Sequence, residues 1–405
     1  MSCFVYVDDA DSIHSPLPQD TRTVSDIIAD MQRMLDTWSG ALHATGGMIE
    51  SSKSYWYLIA FKWNKRKLRW EYRSIADTPA TIYLRHPGMP RVALDRKEVH
   101  DADPDGTLGT FIAMDGNQRL VVESLKTKVN AWADKIRSRQ LTATEGWLSC
   151  RTGITMSLKH QLYTSRLTQQ ECKQITQQLK IAALRASKLP ITYPDVLVYS
   201  PKEFLGLGLP NLWHIQATLW VEQCLQFANQ RHNPTGILLR TVIENMRIEL
   251  GVSRCPLEYP FHRWNKCATP TQFFPFWEYA TETSLLLRDG VPALSVARKH
   301  DVFLMEALEQ NGYSPTQLRI LNLCRIHLRV YLLSDMTTGD GRKLDKFLLH
   351  RKIPFEHHNR YRWPPVGCLN NHSWNMWQEA LIQCFTLDHH QYPYQLRQPL
   401  GAWTS

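Results

Sequence analysis

The period of the hydrophobic pattern changes near residue 118, and this change limits the possible folds more than any other feature of the sequence. Before it, short runs rich in aromatic and β-branched residues, such as residues 55–61, alternate with turn residues and predict β-strands. One amphipathic helix interrupts the strands at residues 21–45, with Thr23 as its predicted N-cap. After residue 118, apolar residues recur at helical spacing. The sequence therefore predicts an α+β fold, in which a short antiparallel sheet with one helix precedes a mostly α-helical remainder.

The helical part is expected to contain a compact unit at residues 118–188, which we call the basic helical segment. Its first helix begins near residue 118, its second is interrupted by Gly146 and Gly153, and its third begins at a capping box that starts with Thr168. Strands are also predicted near 80–85, 90–95 and 108–114, and helices near 213–230, 235–249, 293–311, 315–333 and 341–350. We therefore expect three domains, at residues 1–117, 118–188 and 189–405.

Two adjacent carboxylates follow the first predicted strand. Residues 2–7 are β-branched and aromatic, and the run ends in Tyr6-Val7-Asp8-Asp9. Because Mg²⁺ prefers carboxylate oxygens, Asp8 and Asp9 are candidate ligands for the two metal ions of a phosphoryl or nucleotidyl transfer site. The alternative is an Asp-Asp turn between two strands.

The positive charge of the chain is concentrated in one place. The net charge is +9 over the 405 residues, and residues 119–188 alone carry the same excess, so the rest of the chain is balanced. Such a concentration predicts a polyanionic partner, although a solvated basic surface is the alternative. The candidate phosphate-binding residues on the first and third helices of the basic helical segment are Lys126, Lys128, Lys135, Arg137, Arg139, Lys173 and Lys180.

The sequence also carries expectations about location. No apolar run is long enough to span a bilayer, and the N-terminus lacks the basic and apolar regions of a signal peptide. We therefore expect no membrane partner and an intracellular protein, in the cytoplasm or nucleus rather than secreted. The nine cysteines are then expected to be reduced thiols.

In their order along the chain, these features resemble a retroelement reverse transcriptase of the non-LTR type, in its C-terminal portion. The strand that ends in Asp8-Asp9 resembles the catalytic hairpin of the polymerase palm in that family. The basic helical segment resembles the thumb, and residues 206–211, Gly-Leu-Gly-Leu-Pro-Asn, resemble a connection segment. The resemblance is specific for residues 1–140, looser to about 225 and faint beyond.

The resemblance implies roles for particular residues. Asp8 and Asp9 would help to hold two Mg²⁺ ions, Lys53 would assist the departure of pyrophosphate, and Leu108-Gly109 would belong to a primer grip that contacts a template–primer duplex. The family's fingers and its other palm aspartate are not found in the sequence. The resemblance therefore implies that activity needs the N-terminal half of the polymerase as a partner, and no primer extension is expected from this chain alone.

Two other functions remain open at this point. The chain could be a remnant that binds nucleic acid through its basic helices without catalysis, with Asp8 and Asp9 inert. It could also be a decayed scaffold without a nucleic-acid role, because descent does not fix activity.

Overall fold

The computed structural model describes most of the chain, in two units. The described residues are 2–6, 9–15, 21–64, 69–102, 106, 109–139, 141–227, 230, 232–285, 292–349, 369–390 and 392–403. The fold is mixed α+β, with many helices and a few short strands, as predicted. Contacts between residues divide the chain into Met1–Glu123 and Ser124–Ser405, so the second unit includes both most of the basic helical segment and the C-terminal region.

The strands of the first unit are short. They are β1 (Ser2–Tyr6), β2 (Asp9–Ile13), β3 (Tyr55–Tyr57), β4 (Phe61–Asn64), β5 (Arg69–Tyr72), β6 (Tyr83–Leu84), β7 (Val92–Ala93) and β8 (Asp95–Lys97). In the described part of the chain they form four two-stranded sheets: β1–β2, β4–β5 and β6–β7 are antiparallel, and β3–β8 is parallel. The single strand predicted at 55–61 is divided between β3 and β4, which have different partners.

Helix α1 (Val24–Ala44) confirms the helix and the cap that the sequence predicts. The side chain of Thr23 accepts from the amide of Asp26, whose carboxylate accepts from the amide of Thr23 in return. At the other end Gly46 has φ +82°, a conformation that favours glycine. The helix packs its apolar side against a small core of Trp56, Ile82, Leu84 and Leu94. The predicted apolar stripe is therefore the surface that covers these strands.

The strand predicted at 108–114 is not formed by the residues described there. Residues 109–113 contain only one isolated bridge position, Thr110, and a turn follows. Gly109 has φ +76° and Gly116 has φ +77°. Such left-handed positions bend the chain and are incompatible with an extended strand. The prediction was wrong because it weighed the apolar residues above the glycines.

The helices that follow are numbered in chain order. They are α2 (Arg119–Ser138), α3 (Ala143–Leu148), α4 (Thr155–Thr164), α5 (Gln169–Ala186), α6 (Asp195–Tyr199), α7 (Leu212–Phe227), α8 (Pro234–Leu250), α9 (Phe261–Trp264), α10 (Phe274–Glu282), α11 (Leu304–Gln310), α12 (Pro315–Leu328), α13 (Lys346–Leu349) and α14 (Asn371–Phe385). A π-helical turn, Ser149–Ile154, joins α3 to α4, and short 3₁₀ turns occur at Lys202–Phe204, Pro256–Glu258, Asn265–Cys267 and Leu333–Met336.

The basic helical segment contains the predicted helices, but its second helix is continuous. The two glycines allow close packing instead of breaking it: a Cβ at Gly153 would lie 2.9 Å from Cη2 of Trp132, and one at Gly146 would lie 3.3 Å from Cβ of Ala186. The π-helical turn absorbs the irregularity at Gly153. The capping box at Thr168 is confirmed as the start of α5.

Helix α7 ties the basic helical segment to the C-terminal region. Gln216 on α7 is fully buried, and its side-chain amide donates to the carbonyl of Leu167 at 2.9 Å. Its Oε1 accepts from the hydroxyl of Ser165 and the amide of Leu167, both at 2.9 Å. A buried amide with all these partners fixes the orientation of α7 against the loop between α4 and α5.

The C-terminal region differs most from the prediction. Of residues 293–311 only α11 is helical, α12 ends before 333, and α13 covers only part of 341–350. Helices α10 and α14 were not predicted. The region is organised around buried Arg325, which donates to the carbonyls of Ile248 and Glu249 and so caps the end of α8. Such an irregular but hydrogen-bonded region is difficult to read from periodicity alone.

Candidate nucleic-acid interface

Asp9, the second residue of the Asp pair, begins a strand of a two-stranded sheet. Strands β1 and β2 are antiparallel, and Tyr6 pairs with Asp9 at the end where the chain passes from one strand to the other. Asp8 and the side chain of Asp9 lie outside the described part of the molecule. The backbone therefore places Asp9 at the first position of a strand, next to the connection.

Lys53 is exposed on a 3₁₀ turn, Ser51–Lys53, directly before β3. The turn is capped by Glu50, whose carboxylate accepts from the amide and the hydroxyl of Ser52 at 3.1 and 2.7 Å. The Ser52 hydroxyl, then its amide, and then the charge of Lys53 hold the pKa of Glu50 below its usual value. This arrangement orders the backbone that presents Lys53 to solvent.

Of the two residues in the predicted primer grip, only Gly109 is described. It lies in a turn next to buried Thr110, and Leu108 lies outside the described residues. A left-handed glycine at this point sets the direction of the chain. Its predicted contact with a duplex stays a prediction.

The cations of α2 lie on two opposite sides of the helix. A helix turns about 100° per residue, so Lys126 and Arg137 share one side, and Lys128 and Lys135 share a side almost opposite to it. The buried stripe between them includes Leu125, Val129, Ala133 and Ile136. One flat ligand surface cannot contact both sides at once.

The first side faces α5. The ammonium of Lys126 lies 3.4 Å from Oε1 of Gln174, and Arg137 lies 3.4 Å from Oε1 of Gln178. Arg137 also forms an ion pair with Asp134 at 2.6 Å. These cations are therefore partly compensated by groups of the protein.

The second side is more open. Lys128, Lys135 and Arg139 are exposed, and no ion pair joins them to an acid among the described residues. The ammonium of Lys135 lies 5.4 Å from the ring centroid of Trp132, which packs against the close approach at Gly153. We call Lys128, Lys135 and Arg139 the open basic row.

Lys173 and Lys180 share a side of α5, as their spacing predicts, but their surroundings differ. Lys173 is exposed. Lys180 has a side chain that is only 12% exposed and forms an ion pair with Asp195 on α6. The charge of Lys180 is thus neutralised within the protein, whereas that of Lys173 is available.

An aromatic surface on the β4–β5 hairpin was missed as a candidate site. The register places Phe61 opposite Tyr72 and Trp63 opposite Trp70, so the four rings share one side of the hairpin. Ring centroids are 4.9 Å apart in the first pair and 5.4 Å in the second, and Phe61, Trp70 and Tyr72 are 51%, 46% and 41% exposed. Trp70 and Tyr72 alternate with charged residues in the sequence, a pattern that is typical of a half-buried strand. The matching alternation of Phe61 and Trp63 was the signal for a shared surface.

Neither metal-ligand clusters nor related proteins add a further assignment. Within the described residues, no group of three or more His, Cys, Asp or Glu side chains could hold a metal ion. None of the helices described is both long and apolar enough to cross a membrane. No family model, curated protein or solved structure matches the chain.

Proposed function

We propose that this chain binds a nucleic-acid duplex through the basic helical segment, as the palm end, thumb and connection of an RNA-directed DNA polymerase of retroelement type. The observation that carries the proposal is the open basic row, formed by Lys128 and Lys135 on α2 and by Arg139 directly after it. Its three cations have no acidic partner among the described residues, and they belong to the segment that carries the charge excess of the chain. Cations of this kind bind phosphates and release condensed counterions.

The proposed catalytic part depends on the resemblance. In such an enzyme Asp8 and Asp9 would be ligands of two Mg²⁺ ions, which activate the primer 3′-hydroxyl and stabilise the leaving pyrophosphate. The support that the structure offers for this proposal is the backbone position of Asp9, which begins β2 opposite the last residue of β1. The assignment of residues 1–117 to a palm and of residues 118–188 to a thumb also depends on the resemblance.

The duplex proposal is tested by titrating a labelled RNA–DNA hybrid with the protein at several salt concentrations. The variant carries Lys128→Gln, Lys135→Gln and Arg139→Gln. Each phosphate contact contributes about −0.9 to the slope of log K against log salt, so the variant should reduce the slope by up to about 2.7. Its affinity at low salt should fall in parallel.

A matched control removes the same charge elsewhere in the second unit. Lys202, Lys299 and Arg342 are exposed, and their replacement by Gln leaves the open basic row intact. The control should keep most of the salt dependence of the wild type. Equal losses in both variants would show a non-specific charge effect, and a salt-independent affinity of the wild type would refute duplex binding.

A further inference from the structure

The second unit contains a surface cleft that the proposed function does not use. The cleft has a volume of about 210 Å³ and lies beside α11 and the chain that leads into it. Its apolar lining includes Leu294, Val296 and Phe303, and its acidic lining consists of Asp301 and Glu306. The volume lies below the range of roughly 300–1,000 Å³ that is typical of sites for drug-sized ligands, so a smaller group would fit.

Asp301 is the less accessible of the two acids. It is only 6% exposed, and its Oδ1 accepts from the amides of Val302 and Ser334, both at 3.0 Å. Its Oδ2 is buried and has no hydrogen-bond donor among the described residues. A carboxylate oxygen that is removed from water without a donor is destabilised unless a positive charge or a donor approaches it.

Glu306 is held in place by hydrogen bonds to one of its two carboxylate oxygens. Its Oε1 accepts from the amide of Ser253 and from the hydroxyl of Tyr259, both at 2.6 Å. Burial, and then Glu306 itself, raises the pKa of Tyr259 to about 12, so this hydroxyl stays protonated and donates throughout the physiological range. Within the part of the chain that the structure describes, donors to Oε1 alone orient Glu306.

Three arginines from the elements around the cleft have partners elsewhere. Arg298 donates to the carbonyls of Gly401 and Gly339, and its guanidinium lies 5.0 Å from the ring centroid of Trp403. Arg254 lies 3.6 Å from the carboxylate of Glu258. Arg263 pairs with Glu309 at 3.0 Å. Among the described residues, no Lys, Arg or His forms an ion pair with Asp301 or Glu306.

We infer that this cleft binds a small organic cation, an ammonium or guanidinium group on a short apolar stem. The charged group would lie against Asp301 and Glu306, and the stem would lie against Leu294, Val296 and Phe303. A guanidinium presents several donors in a plane, which suits two carboxylates with unused acceptor capacity. The cation could be a free amine or the side chain of a basic peptide, and both sources share this chemistry.

The experiment measures the binding of agmatine to the full chain by calorimetry and by the shift in thermal midpoint. Asp301→Asn and Glu306→Gln keep the acceptor oxygens that hold the local backbone but remove the charges. Each should weaken agmatine binding by about tenfold or more, because each removes a charge-assisted hydrogen bond to the bound cation. Glu203→Gln removes one exposed negative charge elsewhere in the second unit, outside the cleft, and should leave binding unchanged.

Further ligands distinguish free amines from peptide side chains as the bound cation and test whether binding requires a charge. A Gly-Arg-Gly peptide that competes with agmatine would assign the cleft to peptide side chains, and lack of competition would assign it to free amines; either result supports the cation site. Binding of uncharged butanol with equal affinity would overturn it, because the carboxylates would then be irrelevant. Absence of agmatine binding to the wild type, or equal binding to the Asp301→Asn and Glu306→Gln variants, would also overturn it. None of these results depends on duplex binding.

Discussion

Gly206 is the position where the structure makes the sharpest prediction about stability. The connector after α6 folds back on that helix: the amide of Leu207 donates to the carbonyl of Leu197 at 2.7 Å, and the amide of Gly208 donates to Ser200 at 2.9 Å. A Cβ at Gly206 would overlap the carbonyl group of Ser200, far inside van der Waals contact. A backbone carbonyl cannot rotate away as a side chain can, so Gly206→Ala must displace the connector.

The magnitude follows from what the displacement disrupts. Overpacking in a close-packed region destabilises by about 1–3 kcal/mol. The two backbone hydrogen bonds beside Gly206 contribute about 1 kcal/mol each if they are lost. The smaller entropy of the unfolded alanine chain returns about 0.4–1 kcal/mol. The net loss in the free energy of unfolding should therefore be about 3 kcal/mol.

The measurement is a comparison of thermal midpoints by circular dichroism. A loss of this size lowers the midpoint by about 6–12 °C in a domain of 150–250 residues, and by somewhat less in a larger unit. Gly339→Ala is the control, because a Cβ there meets no atom within 4 Å and no left-handed backbone is involved. A Gly206→Ala midpoint equal to that of the control would refute the packing argument.

Three further predictions concern the first unit. The hydrogen bond from Lys62, followed by those from Ser74, lowers the pKa of Asp77 from 3.8 to about 2. Asp77→Asn should therefore reduce the free energy of unfolding in urea titrations above pH 4, and the difference from the wild type should disappear as the pH falls to about 2. A difference that persists at pH 2 would contradict this. If the aromatic surface stacks on bases, Trp70→Ala should weaken the binding of single-stranded oligonucleotides by about 1–3 kcal/mol. If an oligonucleotide quenches the tryptophan fluorescence of the variant as much as that of the wild type, this role is excluded. Mg²⁺-dependent primer extension by the chain together with the N-terminal half of the polymerase should be abolished by Asp8→Asn, and extension that persists would remove Asp8 from the metal site.

Local signals in the sequence predicted the elements that are stabilised locally. The caps at Thr23 and Thr168 are reciprocal hydrogen bonds between residues three apart, so the pattern contains both partners. The same holds for the apolar stripe of α1. Helix α14 shows that the signal was available elsewhere as well: Asn370 caps it, and buried Trp374 and Trp377 recur at helical spacing. The helix was missed because the sequence of residues 357–371 is rich in Pro, His and aromatic residues and shows no helical period.

Other features depend on partners that are remote in the sequence. The end of α8 is satisfied by Arg325, more than seventy residues later, and no local pattern connects the two. The acidic cleft is of the same kind, because Glu306 is oriented by Ser253 and Tyr259 from another part of the chain. Periodicity cannot reveal such contacts, since each requires the fold to be known first.

The charge of the basic helical segment also depends on contacts that the sequence alone does not reveal. Counting residues gives an excess of +9, but the count does not show which cations the protein neutralises itself. Lys180 pairs with Asp195 and Arg137 pairs with Asp134, whereas the open basic row has no such partners among the described residues. If only the open basic row contacts phosphates, the salt slope of duplex binding should lie near −2.7, because each contact contributes about −0.9. A slope near −8 would instead require most of the excess to be engaged, and the partly compensated side of α2 would then have to exchange its protein partners for phosphates.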